Sequence, residues 1–225
     1  TDHARRNRSG TLFCAKEDKT QEIHSCYRTN SKLARKLHYY TTRKKTYEMN
    51  YQPLWEQMGD DIDGEAANDR SGRAVSISAD GTIVAIGANY NDGTGPGNSG
   101  HVRIFQWNGT SWDQLGEDIN GEASNDESGF SVSLSSDGTI VAIGAIYNDS
   151  NANDDRGHVR IFEYDGTSWT QLGNEIEGEA SNDYSGYSVS LSSDGTIVAI
   201  GAYKNDGNNG NNSGHVRVFQ WDGSN

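Results

Sequence analysis

Short apolar segments recur along the chain and are separated by polar loops. In residues 112–168, Trp112–Ile119 and Phe130–Ser135 alternate large and polar residues, whereas Thr139–Ala145 is continuously apolar. A fourth segment, His158–Tyr164, precedes the next polar turn. Period-two alternation is typical of half-exposed strands, and a short continuous apolar run is typical of a strand buried on both faces. No segment has apolar residues at helical spacing over three turns, so the pattern predicts four short antiparallel strands.

This four-strand pattern occurs three times with a period of 57 residues. Trp55, Trp112 and Trp169 begin the copies, and residues 131–145 are identical to residues 188–202. The copies cover residues 55–111, 112–168 and 169–225. Because buried central strands need a sheet on each face, a four-stranded unit in tandem is typical of β-propeller blades. We therefore predict an all-β fold of three β-propeller blades, with a β-solenoid or separate small sheets as the alternative.

Three blades are fewer than a closed propeller uses, since closed rings have about four to eight. A longer parent chain is the first explanation, and an oligomer that completes the ring or an open arc are the others. If the ring closes, residues 55–62 are expected to complete the last sheet, which residues 187–221 begin.

Charge divides the chain into two parts. Residues 1–54 carry a formal charge of +7 and residues 55–225 carry −20, for a net charge of −13. Acidic repeats repel phosphate, so we expect no nucleic acid as their partner. The sequence has no run of 18 apolar residues that predicts a transmembrane helix, and no signal peptide is visible.

The basic segment 1–54 shares no sequence with the repeats. We predict that it is largely disordered. The alternatives are a short basic helix over residues 31–48, with Leu33, Leu37 and Tyr40 on one stripe, and docking onto the acidic repeats. The segment holds both cysteines, and the spacing of the four potential zinc ligands, Cys14, His24, Cys26 and His38, fits no common zinc finger.

Specific residues of the repeat resemble a known family. The second copy contains Gly129-Phe130 and Gly144-Ala145-Ile146, which resemble the FG and GAP elements of the FG-GAP repeat found in integrin α-chain propellers. The third copy matches at Gly186-Tyr187 and Gly201-Ala202-Tyr203, and the first matches less well, at Gly72-Arg73 and Gly87-Ala88-Asn89. The resemblance covers residues 55–225. It implies a propeller with a role in recognition at the cell surface or outside the cell.

Two features depart from the family pattern. The proline of the GAP element is absent from all three copies. The family's calcium loop, of Asp-x-Asp-x-Asp-Gly type, is reduced here to the turns Asp80-Gly81, Asp137-Gly138 and Asp194-Gly195. One carboxylate cannot supply the six to eight oxygen ligands of Ca²⁺. The family's calcium site therefore does not transfer to this turn.

The long loops of each copy are the predicted ligand surface. In a four-strand meander, the loops that join strand 4 to strand 1 (the 4–1 loops) and strands 2 and 3 (the 2–3 loops) open on one face. The 2–3 loops diverge between copies, as a ligand surface or an unconstrained loop would. The candidate residues are Asn91, Asp92, Asn148, Asp149, Asn205, Asp206, Glu122, Asp126, Glu179 and Asp183, with Glu65 and Asp69 at the corresponding positions of the first copy.

These loops also predict a calcium site, with Asp92, Asp149 and Asp206 as the candidate ligands. Turn formation by Asp and Asn explains the same residues without a metal.

No residue pattern indicates an enzyme. His101, His158 and His215 recur with an arginine two residues later, and repetition explains them without a ligand. No serine is singled out as a nucleophile, because every copy has its Ser, His and Asp in the same phase. We therefore expect a non-enzymatic adhesion module that binds protein or glycan, outside the cell or at its surface. An intracellular assembly scaffold is the alternative, and a propeller lyase or glycosidase is a distant third.

Glycosylation motifs give little further information. Asn7-Arg-Ser9, Asn108-Gly-Thr110, Asn148-Asp-Ser150 and Asn211-Asn-Ser213 fit the N-glycosylation pattern, which is weak evidence for secretion in a chain rich in Asn and Ser.

Overall fold

The structure, a computed structural model, describes two compact units, Thr1–Met58 and Gly59–Asn225. The backbone is described for residues 11–16, 23–29, 36–40 and 48–51, and the full residues for 55–93, 97–149, 154–207 and 209–223. The described residues form strands and turns and include no helix. Among them there is accordingly no helix of the length and apolarity that a bilayer span requires.

The N-terminal unit contains a four-stranded antiparallel sheet. Its strands are β1 (Thr11–Lys16), β2 (Ile23–Thr29), β3 (Lys36–Tyr40) and β4 (Glu48–Tyr51), paired in chain order. The short basic helix considered for residues 31–48 is therefore wrong for residues 36–40 and for Glu48, which lie in strands. Disorder is likewise wrong for these four segments. Both β2 and β3 are rich in aromatic and β-branched residues, which favour strands.

The repeats form three antiparallel sheets, as predicted for propeller blades. The first blade comprises β5 (Ala74–Ile77), β6 (Ile83–Ala88), β7 (His101–Trp107), β8 (Trp112–Gln114) and β9 (Ile119–Asn120). The second comprises β10 (Ser128–Leu134), β11 (Ile140–Ala145), β12 (His158–Tyr164), β13 (Trp169–Gln171) and β14 (Ile176–Glu177). The third comprises β15 (Ser185–Leu191), β16 (Ile197–Ala202) and β17 (His215–Gln220).

Each blade is out of phase with the sequence copy. The segment that begins with Trp112 forms β8 and β9, and both pair with β7 of the preceding copy. Trp169 begins β13, which pairs with β12 in the same way. In the described residues, the third sheet has three strands, and residues 55–62 form no strand. The completion of the last sheet by residues 55–62, which was expected only for a closed ring, stays a prediction.

Apolar cores fill the two junctions between blades. Ile83, Val102 and Ile104 of the first blade pack with Leu134 and Ile143 of the second. Val198 and Ile200 pack with Ala142 and Val159 at the second junction. Side chains of one strand alternate between the two faces of its sheet, so each blade contributes to the junctions on both sides.

Backbone contact between two glycines fixes how closely neighbouring blades approach. A Cβ added to Gly87 would overlap the carbonyl oxygen of Gly129 in the next blade and lie 3.0 Å from its carbonyl carbon. Gly144 faces Gly186 in the same way. These glycines are those of the GAP element in one blade and of the FG element in the next.

Substitution of the junction glycines tests this constraint. We expect Gly87→Ala and Gly144→Ala each to lower the free energy of unfolding by about 2 kcal/mol or more, because the new methyl group meets a fixed backbone. Gly201 occupies the same position in the third blade, where the one close contact of an added Cβ is Oγ of the Ser188 side chain, and the nearest backbone atom lies at 3.8 Å. Gly201→Ala is thus the matched control. Equal losses for all three variants in denaturant titrations would contradict the constraint.

Candidate functional site

The 4–1 and 2–3 loops of each repeat are joined by a hydrogen bond from an asparagine to an aspartate. In the second blade, Asn148 Nδ2 donates to Asp126 Oδ2 at 3.0 Å, and the Ala123 amide donates to the same oxygen at 3.0 Å. The corresponding bonds in the other repeats are Asn91 to Asp69 at 3.0 Å and Asn205 to Asp183 at 2.8 Å. The two long loops therefore lie together in every repeat.

This arrangement separates the predicted ligand residues into two groups. Asn91, Asp126, Asp183 and Asn205 are buried, and their side chains hold the loops together. Asn148 is partly buried in the same kind of bond. The exposed candidates are Asp92, Asp149, Asp206, Glu122 and Glu179. Any ligand on this surface would therefore meet the second group.

Two of the exposed aspartates close their own loops. Asp149 Oδ1 accepts from the amides of Asp154 and Asp155, at 2.8 and 2.6 Å. Asp206 Oδ1 accepts from the Asn212 amide at 2.8 Å. These bonds to backbone amides give Asp149 and Asp206 a role in loop closure that requires no metal. Calcium at Asp92, Asp149 and Asp206 stays a prediction.

A buried acid absent from the sequence-based candidates links the first two blades. Asn89 Nδ2 of the first blade donates to Glu127 Oε2 of the second at 2.7 Å. Burial raises the pKa of Glu127, while the bond from Asn89 and the charge of Arg70 act in the opposite direction. The corresponding positions hold Arg70 and Tyr184, so this contact is particular to one junction. Repeat analysis cannot reveal it for that reason.

Aromatic rings from two blades lie side by side next to the long loops. Phe130 and Tyr187, at the FG positions, have ring centroids 5.1 Å apart, and Tyr187 lies 4.4 Å from Tyr203. Tyr184 lies 5.9 Å from Tyr203 and 5.2 Å from Tyr147. We call these five residues the aromatic band. Tyr187 and Tyr203 are 43% and 47% exposed and border a groove of about 380 Å³.

Two cations flank the aromatic band. The Arg73 guanidinium lies 3.7 Å from the Phe130 ring centroid, and Lys204 Nζ lies 4.2 Å from that of Tyr184. The band therefore combines exposed rings with positive charge on an otherwise acidic unit.

The recurring His-x-Arg segment has a structural role in each repeat. Arg103 donates to the carbonyl of Asp63 at 2.6 Å, and Arg160 donates to that of Asn120 at 2.7 Å. Arg217 donates to the carbonyl of Glu177. Each arginine thus connects the third strand to the start of the 4–1 loop.

Each histidine of this segment faces a glutamate of the 4–1 loop. The Nδ1 to Oε2 distances are 3.7 Å for His101 and Glu65, 3.8 Å for His158 and Glu122, and 3.5 Å for His215 and Glu179. His101 and His158 are buried, and His215 is partly exposed. Burial lowers the pKa of His158 to about 3, and the Arg160 charge acts in the same direction. Burial also lowers the pKa of His101.

This geometry defines a class of protein, an all-β chain built of propeller blades. The family model for the FG-GAP repeat matches residues 62–105 and 177–219, which lie in the first and third repeats. The first and third repeats therefore match the FG-GAP repeat family. No curated protein matches the chain.

Solved structures resemble the chain only distantly. A candidate 6-phosphogluconolactonase from Bacteroides uniformis aligns at 12% identity and TM-score 0.48, over 95% of this chain and 65% of that one. A prolyl endopeptidase aligns at 11% identity and TM-score 0.43, over 96% and 28%. A thermostable family-43 glycoside hydrolase aligns at 12% identity and TM-score 0.35, over 92% and 69%. This chain spans less than two thirds of the first two, and such scores assign no function to it.

The lowered pKa of His158 predicts a stability that depends on pH. The unfolded chain takes up a proton near pH 6.5, whereas the folded chain takes it up only near pH 3. The contribution of neutral His158 is therefore complete above pH 6.5 and decreases as the pH falls toward 3, by up to roughly 5 kcal/mol in total. We expect His158→Gln to flatten this decrease in unfolding free energies measured from pH 7 to 4.

The control for His158→Gln is His215→Gln, the partly exposed counterpart in the third repeat. It removes the same side chain from a more exposed position, so His158→Gln should flatten the decrease more than His215→Gln does. Identical slopes for the wild type and His158→Gln would show that this histidine does not titrate abnormally.

Proposed function

We propose that this chain is a non-enzymatic binding or adhesion module of integrin-like propeller type, which acts outside the cell or at its surface. It recognises protein or glycan ligands through the face formed by the 4–1 and 2–3 loops. The observation that supports this proposal is the aromatic band, which provides exposed rings on a rigid scaffold next to these loops.

The chemistry of the band suits recognition. Tyrosine provides a large contact area with few rotatable bonds, and its hydroxyl group adds a hydrogen-bonding position. Tyrosine and arginine are among the residues that dominate binding energy at interfaces. The apolar faces of a sugar ring pack on aromatic rings in a similar manner. Tyr187 and Tyr203 are the contact residues in this proposal, and Arg73 and Lys204 favour a ligand with acidic groups.

A binding screen with two tyrosines removed tests the proposal. We expect the full chain to bind at least one ligand on an array of glycans or of immobilised extracellular-matrix proteins. The double variant Tyr187→Ala/Tyr203→Ala should lose at least tenfold in signal, because exposed aromatic side chains carry much of the binding energy. Trp55→Ala removes an exposed ring outside the band and should bind normally.

Two outcomes would contradict this function. Binding that is unchanged in the double variant would exclude the band as the contact surface. Chemical conversion of an arrayed glycan by the chain would support a propeller enzyme instead.

Assembly of copies into a larger propeller is the second candidate function, and the two outer faces of the repeat array favour it. Val75 and Ile77 of β5 are 65% and 59% exposed, and Val216 and Val218 of β17 are 66% and 65% exposed. Val132 and Leu134 of the second blade, which correspond to Val75 and Ile77, pack into a junction between blades. The counterparts of Val216 and Val218 are covered in the other two blades. Val102 and Ile104 of the first blade are buried in one junction, and Val159 and Ile161 of the second blade pack in the other.

The occupant that fits these outer faces is a second copy of this chain. The β5 face of one chain has apolar residues at the positions that cover the preceding blade within the array. It therefore fits the β17 face of a second chain, and the two chains would join head to tail. A heterologous contact of this kind generates a ring where the rotation closes. Adhesion and assembly would compete for part of one surface, because Val216 of the β17 face also lines the groove that Tyr187 and Tyr203 border.

Sedimentation velocity with charged variants tests the assembly. Ile77→Lys and Val218→Lys should each abolish concentration-dependent association, because each places a charge in an apolar contact. An equimolar mixture of the two variants should form dimers and nothing larger, since only one pair of faces is intact. Gln106→Lys, at an exposed position of β7, should associate like the wild type. A wild type that stays monomeric at high concentration would contradict assembly.

A further inference from the structure

Three potential metal ligands converge at the start of β7. His101 is the first residue of this strand, Glu65 lies in the loop before β5, and Asp118 precedes β9. His101 Nδ1 lies 3.7 Å from Glu65 Oε2 and 3.7 Å from Asp118 Oδ2. The three donor atoms all lie within 4.8 Å of one another.

His101 provides an independent indication of a ligand. The residue is only 1% exposed, and its Nδ1 atom has no hydrogen-bond partner. A buried polar atom without a partner costs free energy, so an orphan of this kind requires an explanation. Its position between two carboxylate oxygens suggests a cation as the missing partner.

We propose that Glu65, His101 and Asp118 bind one divalent transition-metal ion of the Zn²⁺ type. Two ligands at 2.0–2.2 Å from a tetrahedral ion are about 3.4 Å apart, so the observed 3.7 Å needs only a small contraction. One imidazole nitrogen and two carboxylate oxygens suit zinc, whereas calcium takes six to eight oxygen ligands. Three protein ligands leave the fourth position to water.

The second oxygen of each carboxylate is held by a neighbouring side chain. Gln114 Nε2 donates to Asp118 Oδ1 at 2.7 Å, and Arg103 Nη1 lies 3.8 Å from Glu65 Oε1. Each carboxylate therefore presents its remaining oxygen toward His101. Partners that orient metal ligands in this way strengthen binding. The positive charge of Arg103 is offset by the two carboxylates.

The other repeats lack this arrangement among the described residues. In the second blade, Glu175 replaces Asp118. Gln171, which corresponds to Gln114, donates to the Gly173 carbonyl at 3.2 Å, as Gln114 does to the Gly116 carbonyl at 3.4 Å. His158 and Glu122 are 3.8 Å apart there without a third ligand in the group. We therefore expect one metal ion at the repeats rather than one in each.

Titration of the full chain with Zn²⁺ alone tests the site. Isothermal titration calorimetry and equilibrium dialysis should give one ion bound by the repeats and an increase in Tm. Asp118→Asn and Glu65→Gln should each weaken this binding at least tenfold and remove the increase in Tm. The matched controls Glu175→Gln and Glu122→Gln change the corresponding residues of the second blade and should bind zinc like the wild type.

Cobalt substitution excludes the two cysteines of the N-terminal unit as the source of binding. Co²⁺ at Glu65, His101 and Asp118 should give weak visible bands without the intense near-ultraviolet absorption of a thiolate ligand. Because Asp118→Asn and Glu65→Gln preserve side-chain shape, retained folding can be checked by circular dichroism. Absence of zinc binding, or equal affinity in the wild type and both folded variants, would overturn the proposal.

Discussion

The close contact between glycine backbones of neighbouring blades is the constraint on which the rest of the structure depends. Gly87 contacts Gly129, and Gly144 contacts Gly186, so the second strand of one blade lies close against the first strand of the next. This contact determines how the apolar faces pack. Ser131 Oγ, which donates to the Gly186 carbonyl at 2.6 Å, adds a polar bond at the same junction. The glycines at the FG and GAP positions of this chain therefore determine how closely one blade approaches the next.

This dependence on a neighbour explains why identical sequences have different environments. Residues 140–145 and 197–202 both read Ile-Val-Ala-Ile-Gly-Ala, yet β11 is almost completely buried while β16 is only partly so. The difference arises because β11 has blades on both faces and β16 has a described blade on only one. Burial in a repeat protein is thus a property of the array as much as of the sequence of one copy.

The sequence predicts the scaffold well and the site poorly. Strand positions followed from alternation, and His158–Tyr164 was predicted with its observed bounds. The inward orientation of Asp126 could not be predicted, because the same residue type serves in turns, in buried hydrogen bonds and at ligands. The aromatic band was also missed. Tyr147, Tyr184 and Tyr203 occupy different positions of the 57-residue repeat, so periodicity does not connect them and only the folded chain brings them together.

In a chain built of copied units, functional chemistry is to be sought where the copies differ. The Asn-to-Asp hydrogen bonds between loops recur in all three repeats, as expected for a scaffold that each copy requires. Asp118 stands where the next copy has Glu175, which is longer by one methylene group. Three potential ligands converge around His101, whereas only His158 and Glu122 approach each other at the corresponding place in the second blade. The FG position holds arginine, phenylalanine and tyrosine in turn, so one end of a stacked row is cationic and the other is an exposed phenol. Small substitutions on a repeated frame can therefore create distinct surfaces without altering the packing that supports them.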